Sequence, residues 1–438
     1  MSKLLGVSLV WYRNDLRIKD HMGLTKAVES KRQVVAYYNF NPELFKISNW
    51  GFKRTDRFRT KFLIESVIDL QKELNKLNIS LIIDNCSDEG NLLETIKKLN
   101  VKEIFVQREW TRDEVNEENK IFDKVNSNIK VNYSFDQFLY HPNDLKKKID
   151  DIPNVFTLFR KKCEKDLKVR NLKDNTCKLE TKNRLPNEYK IPSLNDLGFK
   201  DFSIDKRSTF PFRGGTKSGI ERINNYFWET KKLSVYKNTR NGLIGIDYSS
   251  KLSSWLANGS LSPKMIYWEI KKYESQVIKN QSTYWLVFEL IWRDYFKYIS
   301  MKYRDKIFNI KGILNRKYSW YNSKTGVNDW VNGKTKESIV NSNMLELKNT
   351  GWMSNRGRQN VASYFSKELK LDWRIGAAYF ESMLIDYDVH SNYGNWMYVS
   401  GVGNDPRDRK FNIKFQAERY DPNNKFQNLW LQEKLFLF

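Results

Sequence analysis

RFRTKFLIESVIDLQKELNKLNISLII, residues Arg57–Ile83, decides the fold of the N-terminal part. Phe62, Val67, Leu70, Leu74 and Leu77 recur at helical spacing, and Ile79–Ile83 follows at once as a short apolar, β-rich run. A helix that feeds a strand within two residues is half of a strand–helix–strand unit. Working outward, similar runs stand at Val7–Tyr12, Val34–Phe40, Glu103–Val106 and Lys130–Tyr133, with helix-length stretches between them. This alternation predicts an open parallel sheet over residues 1–135, with helices on both faces. Such sheets bind ligands at the carboxyl ends of their strands. No GxGxxG follows the first strand, so a dinucleotide fingerprint is missing.

From 136 to 205 the pattern fades. Arg160–Arg184 holds ten Lys/Arg and four Asp/Glu without clean periodicity, and Pro186 and Pro192 follow it. This stretch reads as a long basic connector. Residues 206–438 read as helical almost throughout, with segments at Gly219–Lys231, Pro263–Tyr273, Thr283–Tyr303, Arg358–Leu369 and Trp373–Leu384. The expected fold class is therefore an α/β sheet domain followed by an all-helical domain, with no repeat at a fixed period.

Composition narrows the function. The 438 residues contain 76 Lys+Arg against 52 Asp+Glu, a net charge of +24. An excess of that size points first to nucleic acid and second to an anionic membrane surface. No run approaches the roughly 18 apolar residues of a membrane span, and the N-terminus lacks a signal-peptide pattern. A soluble cytoplasmic protein is expected, with a monomer favoured. Three widely spaced cysteines exclude a disulfide framework. The three His and three Cys never fall at metal-ligand spacing, and His390 after Asp386 and Asp388 makes a poor cluster, so no metal is expected. Serine-nucleophile signatures are absent.

RGGTKSG (Arg213–Gly219) looks like a phosphate loop, but Thr216 stands where a Walker A motif needs Gly, and a glycine turn into a helix near Ser218 is the expectation. In TYWLVFELIWRDYF (Thr283–Phe296), Trp285, Glu289, Trp292, Arg293 and Phe296 share a helix face, and the plain reading is an amphipathic helix with a Glu289–Arg293 surface pair. WMSNRGRQN (Trp352–Asn360) crowds two Arg and two Asn at a helix start. ESMLIDYDVHSNYGNWMY (Glu381–Tyr398) runs two carboxylates into an Asn/Gly turn and then Trp396.

Taken together, WYRNDLR (Trp11–Arg17), RNGLIGIDYSSKLSSWLANGSLSP (Arg240–Pro263), FELIWRDYF, WMSNRGRQN and LIDYDVHSNYGNWMYVSGVGNDP (Leu384–Pro406) resemble the photolyase/cryptochrome family. RNGL with DYSSK, NRGRQN and GVGNDP resemble its cryptochrome-DASH branch, and the likeness runs in order from about Val7 to Trp430. The resemblance implies an antenna domain at 1–135 and a helical domain at 206–438 that holds FAD. It implies light-driven repair of cyclobutane pyrimidine dimers, preferentially in single-stranded DNA. The alternative is a blue-light photoreceptor with little repair activity.

The resemblance also assigns residues. Tyr236, Ser249, Ser250, Lys251, Leu252 and Ser253 match the positions that hold the FAD phosphates, in keeping with an anion site of hydroxyls and N–H groups at a helix start. Arg358 and Asp386 match an ion pair flanking the isoalloxazine, Asp388 lies toward the adenine and ribose, and Asn355 completes the polar wall. Asn392 faces the ring nitrogen that is protonated on reduction. Trp396, Trp373 and Trp320 match an electron relay to the surface. Glu289 matches the group that meets the flipped dimer, Trp292 and Tyr398 stack on it, and Gln359 lies on the rim. Arg240, Lys251, Arg293 and Arg356 match phosphate contacts. Duplex-repairing relatives carry Trp and Met where this chain has Tyr398 and Gln359. The usual antenna of the branch is methenyltetrahydrofolate, held by an acidic residue after the fourth strand, and QREWTRDEVNEEN (Gln107–Asn119) offers Glu114 or Asp113. One departure stands out: the family's TGxPxxDAxM segment is GKTKESIVNSNMLEL (Gly333–Leu347) here, which puts a local turn and an ion pair in question.

Overall fold

A computed structural model describes residues 6–86, 90–146, 148–173, 177–187, 189–405 and 407–432; Pro406, the last residue of the GVGNDP motif, lies outside them. Five strands, β1 (Val7–Trp11), β2 (Gln33–Asn39), β3 (Ser80–Asp84), β4 (Val101–Gln107) and β5 (Lys130–Ser134), form one sheet in the order β3-β2-β1-β4-β5. Every pairing is parallel. The helices α1 (Met22–Glu29), α2 (Arg57–Lys76), α3 (Gly90–Lys98) and α4 (Arg112–Phe122) connect them in turn. Because successive strand residues point to opposite faces, each strand feeds two cores. Val10, Ala36 and Leu81 pack with Val67, Leu70 and Leu74 of α2, while Leu9, Trp11, Val35 and Ile82 pack with Leu92 and Ile96 of α3.

The rest of the chain is helical: α5 (Phe156–Asp166), α6 (Thr216–Ile223), α7 (Tyr236–Thr239), α8 (Ser253–Ala257), α9 (Pro263–Gln276) and α10 (Gln281–Tyr303). They are followed by α11 (Lys324–Val331), α12 (Ser338–Thr350), α13 (Asn355–Ser363), α14 (Trp373–Met383), α15 (Val389–Ser400), α16 (Ile413–Tyr420) and α17 (Lys425–Leu431). A reciprocal cap starts α10, where Asn280 accepts from the Thr283 N–H and the Thr283 hydroxyl accepts from the Asn280 N–H. The five helical segments expected from periodicity fall within these elements or overrun them by at most two residues at their C-terminal ends, with π-helical turns extending α6 to Glu229 and α13 to Glu368.

The helix α2 serves both bodies. Phe58 and Phe62 pack in the helical core, whereas Val67, Leu70 and Leu74 face the sheet. Its polar side chains also answer the RGGTKSG question. The Gly214 N–H donates to Glu65 (2.8 Å), the Gly215 N–H to Ser66 (2.9 Å) and the Lys217 N–H to Asp69 (3.2 Å). Gly215 has φ +98°, and a Cβ there would lie 2.6 Å from Asp69. The turn that opens α6 at Thr216 is thus a docking joint whose donors are occupied, not a phosphate loop. WYRNDLR makes a second joint: buried Arg17 donates to the carbonyl of Gly259 (2.8 Å) and to that of Asp136 (3.4 Å). Nearby Asp20 is paired with Lys264 at 2.7 Å.

The basic connector is more ordered than its composition implied. Phe156, Phe159 and Cys163 of α5 join the helical core, and Leu194, Leu197 and Phe199 join the core between sheet and α2. Three or four apolar anchors per stretch suffice to fix a chain whose other residues are solvated and charged, and so few anchors leave no periodicity to read. No helix among the described residues is long and apolar enough to cross a membrane.

Candidate functional site

Four elements bring the singled-out residues together: the loop Arg240–Leu252, α10, the start of α13, and α15. Gly394 lets α15 approach α10 closely, since a Cβ there would lie 2.2 Å from the Phe296 ring. That approach sets Trp292 of α10 against Tyr398 of α15, with ring centroids 6.1 Å apart and planes at 90°. A further contact of Trp292 is flat: Phe156 of α5 stacks on it at 3.5 Å and 9°, while Tyr295 and Phe296 lie 5.5 Å away on its own helix. Both Trp292 and Tyr398 stay partly exposed.

Glu289 lies one helical turn before Trp292 and forms an ion pair with Arg240. The Glu289–Arg293 surface pair expected from helical spacing is therefore replaced by one across the loop. Arg293 has another task, because its guanidinium donates to the carbonyls of Gln137 (2.5 Å) and Leu256 (2.9 Å) and joins the two bodies. This weighs against the expectation that Arg293 contacts a phosphate, because both terminal nitrogens of its guanidinium are turned onto backbone carbonyls. Lys251 is corrected as a DNA contact, since it is 2 % exposed and cannot reach a strand at the surface. Arg356 remains at the surface, donating to Gln359 (2.9 Å) and Asn241 (3.2 Å).

On the cofactor side, Tyr236 opens α7 and is buried, as are Ser250 and Leu252. Ser253 opens α8, and Ser249 is partly buried. Lys251 holds φ +63°, a left-handed conformation rare for a side chain of its size. Its ammonium sits 3.2 Å from the Tyr248 ring centre and 4.8 Å from that of Trp352, with no acceptor among the described residues. Burial pushes the Lys251 pKa well below the usual lysine range, with the Glu346 charge as the main opposing influence. Burial also pushes the Glu346 carboxyl up to about 8.

The loop is held from beneath by Arg222, a residue that sequence reasoning missed. Buried in α6, it donates to the carbonyls of Ser249 (3.1 Å) and Ser250 (3.1 Å) and pairs with Asp247 at 2.8 Å. Thr216, Gly219, Arg222 and Ile223 form the buried stripe of that helix, so an arginine on an inward-facing stripe was the available clue.

Arg358 and Asp386 form a bidentate pair at 2.9 and 3.0 Å, and the Arg358 Nε donates to the Met353 carbonyl. Asn355 is the exposed first residue of α13. Asn392 is buried and donates its amide N–H to the Ala377 carbonyl (3.0 Å), which leaves the side-chain oxygen as its acceptor. Asp388 caps α15 by accepting from the Ser391 N–H, and its second oxygen pairs with Lys297 at 3.2 Å. Burial alone would raise the Asp388 pKa, but the Lys297, His390 and Arg293 charges hold it well below the usual range. Both carboxylate oxygens thus serve the protein itself.

The three relay candidates are graded in exposure. Trp396 and Trp373 are buried, and Trp320 is partly exposed. The Trp396 indole N–H has no acceptor among the described residues, whereas that of Trp373 donates to the Ile310 carbonyl (3.0 Å). Trp330, not singled out from the sequence, lies 6.2 Å from Trp396, edge to face.

In the antenna stretch, Asp113 pairs with Arg54 at 2.7 Å, and Arg54 also reaches Glu381 of α14 at 3.3 Å. Glu114 accepts from the Thr111 hydroxyl. Two carboxylates of this stretch are buried instead: Glu118, paired with Arg13 and Arg108, and Glu109, which burial pushes up to about 7 against the opposing Lys297 and Arg13 charges. Beside it Trp110 stacks on His390 at 4.8 Å. The altered segment at Gly333–Leu347 keeps its turn: Asn341 accepts from the Thr335 N–H (2.8 Å) and donates to the Thr335 carbonyl (2.8 Å), so an amide closes it.

Comparison with known proteins supplies the family. Profiles described as "DNA photolyase" and "FAD binding domain of DNA photolyase" match residues 8–179 and 285–435. Cryptochrome DASH of Synechocystis sp. is 41% identical over 97% of this chain and 87% of its own length. Cryptochrome DASH of Gloeobacter violaceus is 43% identical over 97% of this chain and 85% of its own. The crystal structure of the Synechocystis cryptochrome superimposes with a TM-score of 0.93, covering 99% of this chain and 90% of that one. With its parallel sheet, its helical body and an FAD-binding domain, the chain belongs to the photolyase/cryptochrome family, in the cryptochrome DASH branch.

Proposed function

We propose that the chain is a blue/UV-A light-driven flavoprotein that repairs cyclobutane pyrimidine dimers, preferentially in single-stranded DNA. The observation that carries this reading is the grouping of Glu289, held by Arg240, with the perpendicular rings of Trp292 and Tyr398. Two aromatic walls and one hydrogen-bonding carboxyl suit a pair of pyrimidines, which are apolar on their faces and polar at their edges. When bound, reduced FAD supplies on illumination the electron that opens the cyclobutane ring, and recovers it afterwards.

The residues present fit such a cofactor. Lys251 is a buried cation without an acceptor among the described residues, Ser249, Ser250 and Ser253 add hydroxyls, and the free oxygen of Asn392 suits a protonated ring nitrogen. Arg358 and Asp386, locked to each other, present a fixed dipole that needs no rearrangement. Trp396, Trp373 and Trp320 form the route by which the oxidised cofactor would be recharged. Arg240 orients Glu289, and Arg356 with Gln359 forms the cationic rim.

For the antenna we propose methenyltetrahydrofolate beside Asp113 and Glu114. Support comes from Arg54, which links Asp113 on the sheet side to Glu381 on the helical side. Heat-released chromophore should contain flavin and folate, and folate missing from a reconstituted sample refutes that assignment.

The deciding experiment follows thymine absorbance in UV-irradiated oligothymidine with pre-reduced protein, lit and dark. Recovery in light alone is expected. No recovery with flavin bound would end the repair reading in favour of light sensing.

A further inference from the structure

We infer that the surface beside the dimer pocket holds a second, smaller site, for the base of a nucleotide flanking the dimer. This rests on the repair reading above. A hollow of about 210 Å³ is lined by Leu243 and Ile244 on one side and by Tyr420, Pro422, Asn423 and Phe426 on the other. Leu243 and Phe426 are buried, but Ile244 is 46% exposed and Ile246, two residues on, is 41% exposed. Two exposed isoleucines on one loop call for an apolar occupant. Gly245 between them has open space where a Cβ would sit, so the loop tip stands clear of the body.

The setting identifies the occupant. Arg356 joins this hollow to the dimer pocket: it donates to Gln359 on the pocket rim, and its guanidinium lies 4.6 Å from the centre of the Tyr420 ring. One side chain therefore touches the rim of one site and the wall of the other. The loop that carries Ile244 also carries Arg240, which pairs with Glu289 in the pocket. Cations flank the hollow, with Arg419 at 5.5 Å from the Tyr420 ring and Lys425 in its lining. The carboxylate in the lining, Asp421, is turned inward and accepts from the N–H groups of Phe426 (3.0 Å) and Gln427 (3.0 Å) at the start of α17. Apolar walls with a cationic border suit a base and its phosphate, and a base in single-stranded DNA is free to leave the stack. Apolar side chains such as Ile and Pro are those that proteins place against unstacked bases.

The test separates base from phosphate. Three ligands are titrated in the dark: a thymine-dimer dinucleotide, the dimer with one thymidine on each side, and the same tetranucleotide with abasic flanking sugars. The flanked dimer should bind about fivefold or more tighter than its abasic counterpart, because both carry equal phosphates and differ only in base contact. In Ile244→Ser that ratio should fall toward one with dinucleotide binding unchanged, and in Tyr420→Ala, whose ring packs on Arg356, the ratio should likewise fall toward one whatever the dinucleotide affinity. Ile244 is exposed, so the serine variant should fold, and far-ultraviolet circular dichroism checks this. A wild-type ratio near one, or a ratio unchanged in both variants, overturns the inference while leaving repair intact. If no dimer binds above undamaged strands, the repair reading fails, and the flanking site fails with it.

Discussion

The indole of Trp292 lies flat on the ring of Phe156, centroids 3.5 Å apart and planes 9° apart. Phe156 belongs to the stretch whose composition read as a basic connector, yet it backs an aromatic wall of the candidate pocket. One face of Trp292 is thereby filled, and the ring is held for whatever meets it elsewhere. Phe156→Ala should cost about 3–5 kcal/mol of stability, as for other buried Phe truncations. It should also weaken selective binding of dimer-containing over undamaged strands, through a loosened Trp292. Denaturant titration and competitive binding measure the two effects. Loss of stability with selectivity intact would make Phe156 a core residue only.

Trp396→Phe should abolish photoreduction of oxidised FAD while flavin stays bound. The indole N–H of Trp396 has no acceptor among the described residues, so its removal orphans no partner there. Phe is a poor electron donor by comparison, and the relay would lose its first member. Absorbance under blue light with an external reductant follows the effect. Repair by chemically pre-reduced protein should persist, because that electron passes from flavin to dimer. Photoreduction at the wild-type rate would move the first donor elsewhere, with Trp330, 6.2 Å from Trp396, as the next ring to test.

Much of this architecture is legible in the sequence, and the exceptions share a cause. The inner strands are legible to within two residues because burial on both faces leaves continuous apolar runs, and α2 because its stripe persists for five turns. Arg358, Asp386 and Asn392 are singled out by the family resemblance alone. What spacing could not give was the partner of each side chain. Glu289 and Arg293 are four apart on one helix, yet each turns to a residue brought in by another part of the chain, Arg240 and Gln137. Arg222, Phe156 and Glu109 escaped for the same reason: their tasks are defined only once distant elements meet.

Glu109 makes the stability depend on pH. Its folded pKa, raised by burial to about 7, exceeds the ordinary carboxyl value of 4.5, so the folded state binds the proton more tightly. Its contribution is therefore fully present below about pH 4.5 and is lost as pH rises through 7. His390, 4.0 Å away, has the opposite sign: burial depresses its pKa, and its cost is removed as pH rises toward 6.5. The two partly cancel in mildly acid solution, so the comparison must be made against a variant. Glu109→Gln should flatten the fall in melting temperature between about pH 4.5 and 7, by an amount equivalent to up to about 3 kcal/mol. Parallel curves for variant and wild type would show that Glu109 ionises without penalty.

The proposed preference for single strands rests on two side chains. Extracting a dimer from duplex costs a few kcal/mol of unpairing and unstacking, and much less from a single strand. Stacking returns only about 1–3 kcal/mol per base, so the size of the aromatic walls decides the balance. Tyr398 stands edge to face with Trp292 at 6.1 Å, and Gln359 is tied to Arg356 at 2.9 Å, so one wall is a single ring and the rim is polar. Rates for one dimer in single-stranded, bubble and duplex DNA at fixed salt should therefore fall in that order. Replacing Tyr398→Trp widens the wall, and Gln359→Met removes a polar group while freeing Arg356. The double variant should raise the duplex rate selectively and leave the single-strand rate nearly unchanged. A rise in all three contexts alike would mean that the substitutions alter chemistry or cofactor rather than extraction. Equal rates in the wild type would show that the cationic surface, not the pocket, sets which DNA is repaired.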